Sequence, residues 1–138
     1  MSLESDTATK IIRLATEGGT PISIAVVDET GVLIGFCRMD GAPRFSADFA
    51  IAKAKTAAAF GTETSNLEML YADRPVFAHS FVAQGGYFLG RGGVPIIREG
   101  TVIGAVGVSG SESLGEEGIA RAAAEMALGP NQPWAEAQ

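Results

Sequence analysis

Histidine, cysteine and tryptophan each occur once in this sequence, and basic residues are fewer than acidic ones. Each scarcity excludes something. A single cysteine, Cys37, rules out an intramolecular disulfide; within an apolar strand pattern it reads as a buried, inert thiol. A single histidine, His79, rules out a multi-histidine metal site within one chain, and any Ser/His triad would have to use it. Ten Lys and Arg against 16 Asp and Glu leave a net charge of −6. No basic footprint for nucleic acid exists, and an anionic membrane surface is equally unsuited. No apolar run reaches the ~18 residues that a membrane-spanning helix needs. Residues 1–6 lack the basic start and apolar core of a signal peptide, so a cytoplasmic protein is expected.

What is present is apolar. Hydrophobic residues make up 46% and charged residues 19% of 138, which predicts one folded domain over 1–138. The stretch from Gly92 to Gly110 organises it. Two apolar runs flank the polar turn Arg98-Glu99-Gly100, the pattern of a β-hairpin. In the second run Val102, Val106 and Val108 alternate with Ile103 and Ala105. Apolar side chains on both faces predict a central strand covered on both sides. Gly104 and Gly107 inside it predict close packing against the backbone.

The remaining chain supplies the cover. Helical periodicity runs from Leu3 to Glu17 and stops at Gly18-Gly19. Strands follow at 22–27 and 32–39 around the turn Asp28-Glu29-Thr30-Gly31. Ser46 is the expected cap of a helix ending at Phe60 before Gly61. Lys53 and Lys55 interrupt its apolar surface; two apart, they point in nearly opposite directions, so at least one faces a cleft or interface unless both snorkel to opposite edges of one exposed side. Ser65-Asn66-Leu67-Glu68 and Ser113-Leu114-Gly115-Glu116 are capping-box patterns, and Pro75 suits the first position of another helical turn. Tyr87-Phe88-Leu89, set among glycines, reads as a short edge strand. The tail from 130 to 138 reads as flexible, with Trp134 available to tack it down. The expected class is α/β (α+β): a mainly antiparallel sheet of about five strands with helices on both faces.

Several of these segments together resemble a known family. Residues 21–28, Arg38-Met39-Asp40-Gly41-Ala42, Ala52-Lys53-Ala54-Lys55-Thr56-Ala57, Gly92-Gly93-Val94-Pro95-Ile96 and the run 104–110 are similar to the GlcG/HbpS family. That family is also called the haem-degrading domain and includes the C-terminal domain of PduO. The resemblance spans roughly residues 3–128. It implies a profilin-like α/β/α sandwich, a homo-oligomer that is often octameric, and haem or a related tetrapyrrole as ligand. Ser111-Glu112-Ser113 stands where family members often carry a glycine-rich turn, and residues 67–81 are the least family-like. Variable loops on a fixed scaffold carry specificity, so the latter segment is where ligand choice is expected.

Three groups of residues carry candidate chemistry. Arg38, Asp40, Lys53, Lys55 and Thr56 combine a carboxylate-binding guanidinium with a partly buried lysine suited to acid/base work; Lys53 and Asp40 are the candidate catalytic residues here, Arg38 and Thr56 the ligand-binding ones. The plain alternative is an Arg38–Asp40 pair fixing a loop beside solvated lysines. Gly92, Gly93, Ser109 and Gly110 offer approachable backbone for an anion, or simply tight turns. His79 can ligate haem iron or move a proton, or pack among Val76, Phe77 and Phe81. No metal ion site is expected. The functional expectation is a small-molecule-binding protein, with haem as ligand by resemblance. The alternatives are a cofactor-free isomerase, hydratase or lyase acting on a small organic acid, and a subunit without chemistry. A homo-oligomer is expected in each case, because the helix 47–60 carries so little polar surface.

Overall fold

The computed structural model describes residues 2–110 and 113–129, with side chains throughout except at 113 and 114. The elements in order are α1 (Ser5–Thr16), β1 (Ile22–Asp28), β2 (Leu33–Arg38), α2 (Ser46–Phe60), α3 (Thr64–Leu70), α4 (Pro75–Ala83), β3 (Gly93–Arg98), β4 (Thr101–Gly110) and α5 (Ser113–Leu128). The strands form one antiparallel sheet in the order β2-β1-β4-β3. Helices α1 and α5 cover one face through Ile11, Ala120 and Ala124, which pack with Ile24, Val26, Val106 and Val108. Helix α2 covers the other through Ala50, Ala54 and Ala57 against Ala25, Val27 and Ala105. This is the α/β/α sandwich that the resemblance implies, and β4 is central as the two-sided apolar pattern predicts.

Short side chains bring α2 unusually near the sheet. A Cβ on Gly107 would collide with the Ala50 carbonyl oxygen and lie 2.6 Å from the Ala54 nitrogen. A Cβ on Gly93 would likewise meet the Lys53 carbonyl oxygen. The β3–β4 turn is a two-residue loop with φ 52° at Glu99 and 76° at Gly100, the signs that a type I′ hairpin turn requires.

Five expectations are corrected. The sheet has four strands among the described residues, not about five. The run at 87–89 joins no ladder, because the Phe88 N–H donates to Thr56 Oγ1 at 2.9 Å. Strict alternation along β4 fails at a bulge: Ile96 pairs with Gly104 but Ile97 pairs with Val102, leaving Ile103 extra. Ile103 therefore joins Val106 and Val108 in the α1/α5 core, while Val102 lies towards Gly61 at the end of α2. Ser46 does not cap α2 from outside. It is the first helical residue, buried, with its hydroxyl donating to the Pro43 carbonyl and bonded to the Ser23 hydroxyl at 2.8 Å. Ser65 is likewise inside α3, and its hydroxyl donates to Glu117 rather than to the helix start. The Ser113 side chain and the tail with Trp134 lie outside the described residues.

Two glycines separate packing from propensity. Gly107→Ala is expected to cost about 3 kcal/mol through overpacking against α2. Gly118→Ala, in α5 with open space around it, should stabilise by roughly 0.5–1 kcal/mol. Urea midpoints moving in opposite directions would bear this out; equal midpoints would contradict the close α2–β4 packing.

Candidate functional site

Ser46, Ala50, Lys53, Ala54 and Ala57 form the buried stripe of α2, at helical spacing. Lys53 is thus a charged residue in an apolar stripe, only 4% exposed. A buried ammonium needs a countercharge and hydrogen-bond acceptors. Both are present. Lys53 Nζ donates to Glu116 Oε2 at 2.5 Å and to the Val108 carbonyl at 3.2 Å. Glu116, 3% exposed in the first turn of α5, uses Oε1 to accept the Gly110 N–H at 2.9 Å. One ion pair therefore ties α2, α5 and the end of β4 together. Lys55 is off the stripe, half-buried, with its ammonium 5.2 Å from the Tyr87 ring centre.

The pair lies at the bottom of a cleft of about 440 Å³. One wall is aromatic: Phe45 and Phe49 have ring centres 5.1 Å apart, and Phe49 and Phe88 4.7 Å apart. Phe88 is held by the Thr56 hydroxyl, and its ring centre is 5.3 Å from Lys53 Nζ. Exposed Arg91 and Glu68 lie at the mouth, and Leu89, Gly90, Ser109 and Gly110 complete the lining. Phe88 and Leu89 also line a second, more apolar depression of about 450 Å³ beside His79, Val82 and Ala83 of α4. Ring contacts Phe60–Phe81, Tyr71–Phe77 and Phe81–Tyr87 hold α4 in place.

The residues singled out from sequence separate into groups. Lys53, Ser109 and Gly110 come together in the cleft, and Thr56 supports its wall. Gly92 and Gly93 are buried and closely packed: a Cβ on Gly92 would collide with the Val108 carbonyl and lie 3.1 Å from Lys53 Nζ. Arg38 and Asp40 are exposed at the end of edge strand β2, and the Arg38 guanidinium donates to the Ala42 carbonyl at 3.3 Å. Neither lines the cleft. His79 is exposed on α4. Sequence reasoning missed Glu116, Arg91 and the ring triplet Phe45, Phe49 and Phe88. The available signal was Lys53 itself, since a lysine on a buried stripe demands a carboxylate partner.

A second ionic group ties α3 to α5. Arg121 pairs with Glu63 and lies 3.6 Å from Glu117. Burial, with the Glu117 charge adding to it, raises the Glu63 pKa above the usual carboxylate value, and Arg121 opposes the shift. No group of three or more His, Cys, Asp or Glu side chains placed to hold a metal ion occurs among the described residues.

Lys53→Met should cost about 3–5 kcal/mol, because it leaves the Glu116 carboxylate buried and uncompensated. Adding Glu116→Gln should restore much of that loss in urea denaturation. Strictly additive effects would show that the two side chains do not act as a pair.

Comparison with known proteins agrees with the fold and the site's scaffold. The model of the family described as haem-degrading protein HbpS-like matches residues 3–125. Protein GlcG of Escherichia coli K12 is 36% identical over 96 residues, 69% of each chain. The structure of a Streptomyces reticuli HbpS double mutant superimposes with a TM-score of 0.83 at 34% identity, covering 91% of this chain and 87% of that one. A PduOC:haem complex superimposes at 0.82 with 27% identity, covering 93% and 96%. The chain therefore belongs to the HbpS-like family.

Proposed function

We propose that this protein binds haem or a related tetrapyrrole on the face formed by α4 and residues 88–89, with His79 as the iron ligand. The observation that carries this reading is an exposed imidazole beside an apolar wall of Val82, Ala83, Phe88 and Leu89. Haem brings four nitrogen ligands of its own, so one protein imidazole suffices where a bare metal ion would need a cluster. The apolar lining suits a macrocycle. A relative solved as a haem complex and the family's description support the same ligand class. When bound, haem would supply redox and small-ligand chemistry; the chain's part is to hold, orient and shield it.

The assembly we propose is a homo-oligomer, octameric if it follows the family. What supports it is that Met69, Leu70 and Val76 are 75%, 63% and 80% exposed on α3 and α4, apolar side chains that a second copy would cover.

A second reading is a cofactor-free enzyme acting on a small organic acid. The buried Lys53–Glu116 pair at the bottom of the cleft favours it, because a proton can pass between two such groups and a ligand above them. His79 and Asp40 stand outside that cleft and would take no part in it.

Titration with haem tests the first reading. Stoichiometric haem should produce a shifted Soret band, and His79→Ala should abolish the shift while leaving the fold intact. An unchanged haem spectrum, or an unaffected His79→Ala variant, would overturn it.

A further inference from the structure

Beyond haem, we infer that the cleft above Lys53 and Glu116 binds a small planar monocarboxylate, an aromatic or conjugated acid. This deepens the second reading and rests on the same cleft, but it concerns binding and not turnover. Its volume of about 440 Å³ is at the small end of the roughly 300–1,000 Å³ usual for ligand pockets, which suits a one-ring acid.

Three features define the ligand. The first is the wall. Phe45, Phe49 and Phe88 form a continuous run of ring contacts, yet Phe45 remains 52% and Phe49 37% exposed. Rings gathered at a cleft and still open to water offer an unfilled stacking surface for a flat apolar body. The second is Arg91. It is exposed at the mouth and has no ion-pair partner among the described residues, unlike Arg121 and Lys53. A free guanidinium next to an aromatic wall is the group that a carboxylate takes as a two-pronged partner. Glu68 shares the mouth and disfavours a second negative charge, so a monoacid is preferred to a diacid.

The third feature is the bottom of the cleft. The Lys53 ammonium has three N–H donors and two protein acceptors, Glu116 and Val108. One donor remains for a ligand oxygen, such as a ring hydroxyl or a conjugated carbonyl. Because the ion pair is buried and bonded on both sides, this donor is positioned before the ligand arrives. The ligand is thus read at two ends: carboxylate at Arg91, oxygen at Lys53, with the ring between them on Phe49 and Phe88.

Calorimetric titration of haem-free protein with 4-hydroxycinnamate, 4-hydroxycinnamyl alcohol and the diacid 4-hydroxybenzylidenemalonate, which share the ring hydroxyl and differ only at the carboxylate end, tests this. The hydroxycinnamate should bind saturably, and the alcohol and the diacid at least tenfold more weakly. Arg91→Gln and Phe49→Ala should each weaken the acid at least tenfold. Lys10→Gln, which removes an exposed cation on α1, should leave binding unchanged. Equal affinity for acid and alcohol, an unaffected Arg91→Gln variant, or no saturation at millimolar ligand would overturn the assignment. Saturable, Arg91-dependent binding with no product formed would support it and remove only this acid as a substrate in the enzyme reading.

Discussion

The structure depends on one buried ion pair. Lys53 and Glu116 are 63 positions apart in the chain, on helices that cover opposite faces of the sheet. They meet at the end of β4, where Glu116 also accepts the Gly110 N–H and Lys53 donates to the Val108 carbonyl. Burying two charges is costly, and an apolar pair of the same shape would often be as stable. A pair kept under that cost fixes where three elements end relative to one another. Here it also sets charged groups at the bottom of an open, aromatic-lined cleft.

The close approach of α2 makes the pair possible. Ala50, Ala54 and Ala57 present almost no side chain to the sheet, and Gly93 and Gly107 present none to the helix. Lys53 is therefore pressed down at the sheet, with its stem near Gly92 and its ammonium at the strand end. The same closeness lets Thr56 reach the Phe88 N–H, which draws residues 87–89 away from the sheet edge and onto the cleft. The segment that then carries Phe88 and Leu89 lies between two depressions, one beside His79 and one above Lys53. A fold shared with the HbpS structure thus carries two depressions along one surface, one on each side of residues 88–89.

Much of the scaffold was legible from short-range patterns. The β3–β4 hairpin follows from two apolar runs around Glu99-Gly100, and both turn residues have the positive φ that the pattern asks for. Gly61 ends α2 in the left-handed region, and Pro75 opens α4. What was not legible depends on distant partners. Ser46 and Ser65 have cap-like neighbours in sequence, but the Ser46 hydroxyl bonds the Pro43 carbonyl and Ser23, and the Ser65 hydroxyl donates to Glu117. The bulge at Ile103 arises from pairing with β3 and has no local signature. Lys53 announced its need for a carboxylate, yet 16 acidic residues competed for the role and Glu116 had an equally good local reading as a capping residue. Arg91 has no local signature in the sequence; only the fold places it in one cleft with three phenylalanine rings.

Hydrogen exchange at the Gly110 amide is the most direct measure of the central claim. Its acceptor is the Glu116 carboxylate, so its protection reports the placement of that carboxylate and not the sheet ladder, and a fall in Lys53→Met as well ties that placement to the ion pair. Protection close to that of the Val108 amide is expected, falling sharply in a Glu116→Ala variant while the Val26 amide holds. A Gly110 amide that exchanges freely in the native protein would contradict a preformed pair at the bottom of the cleft.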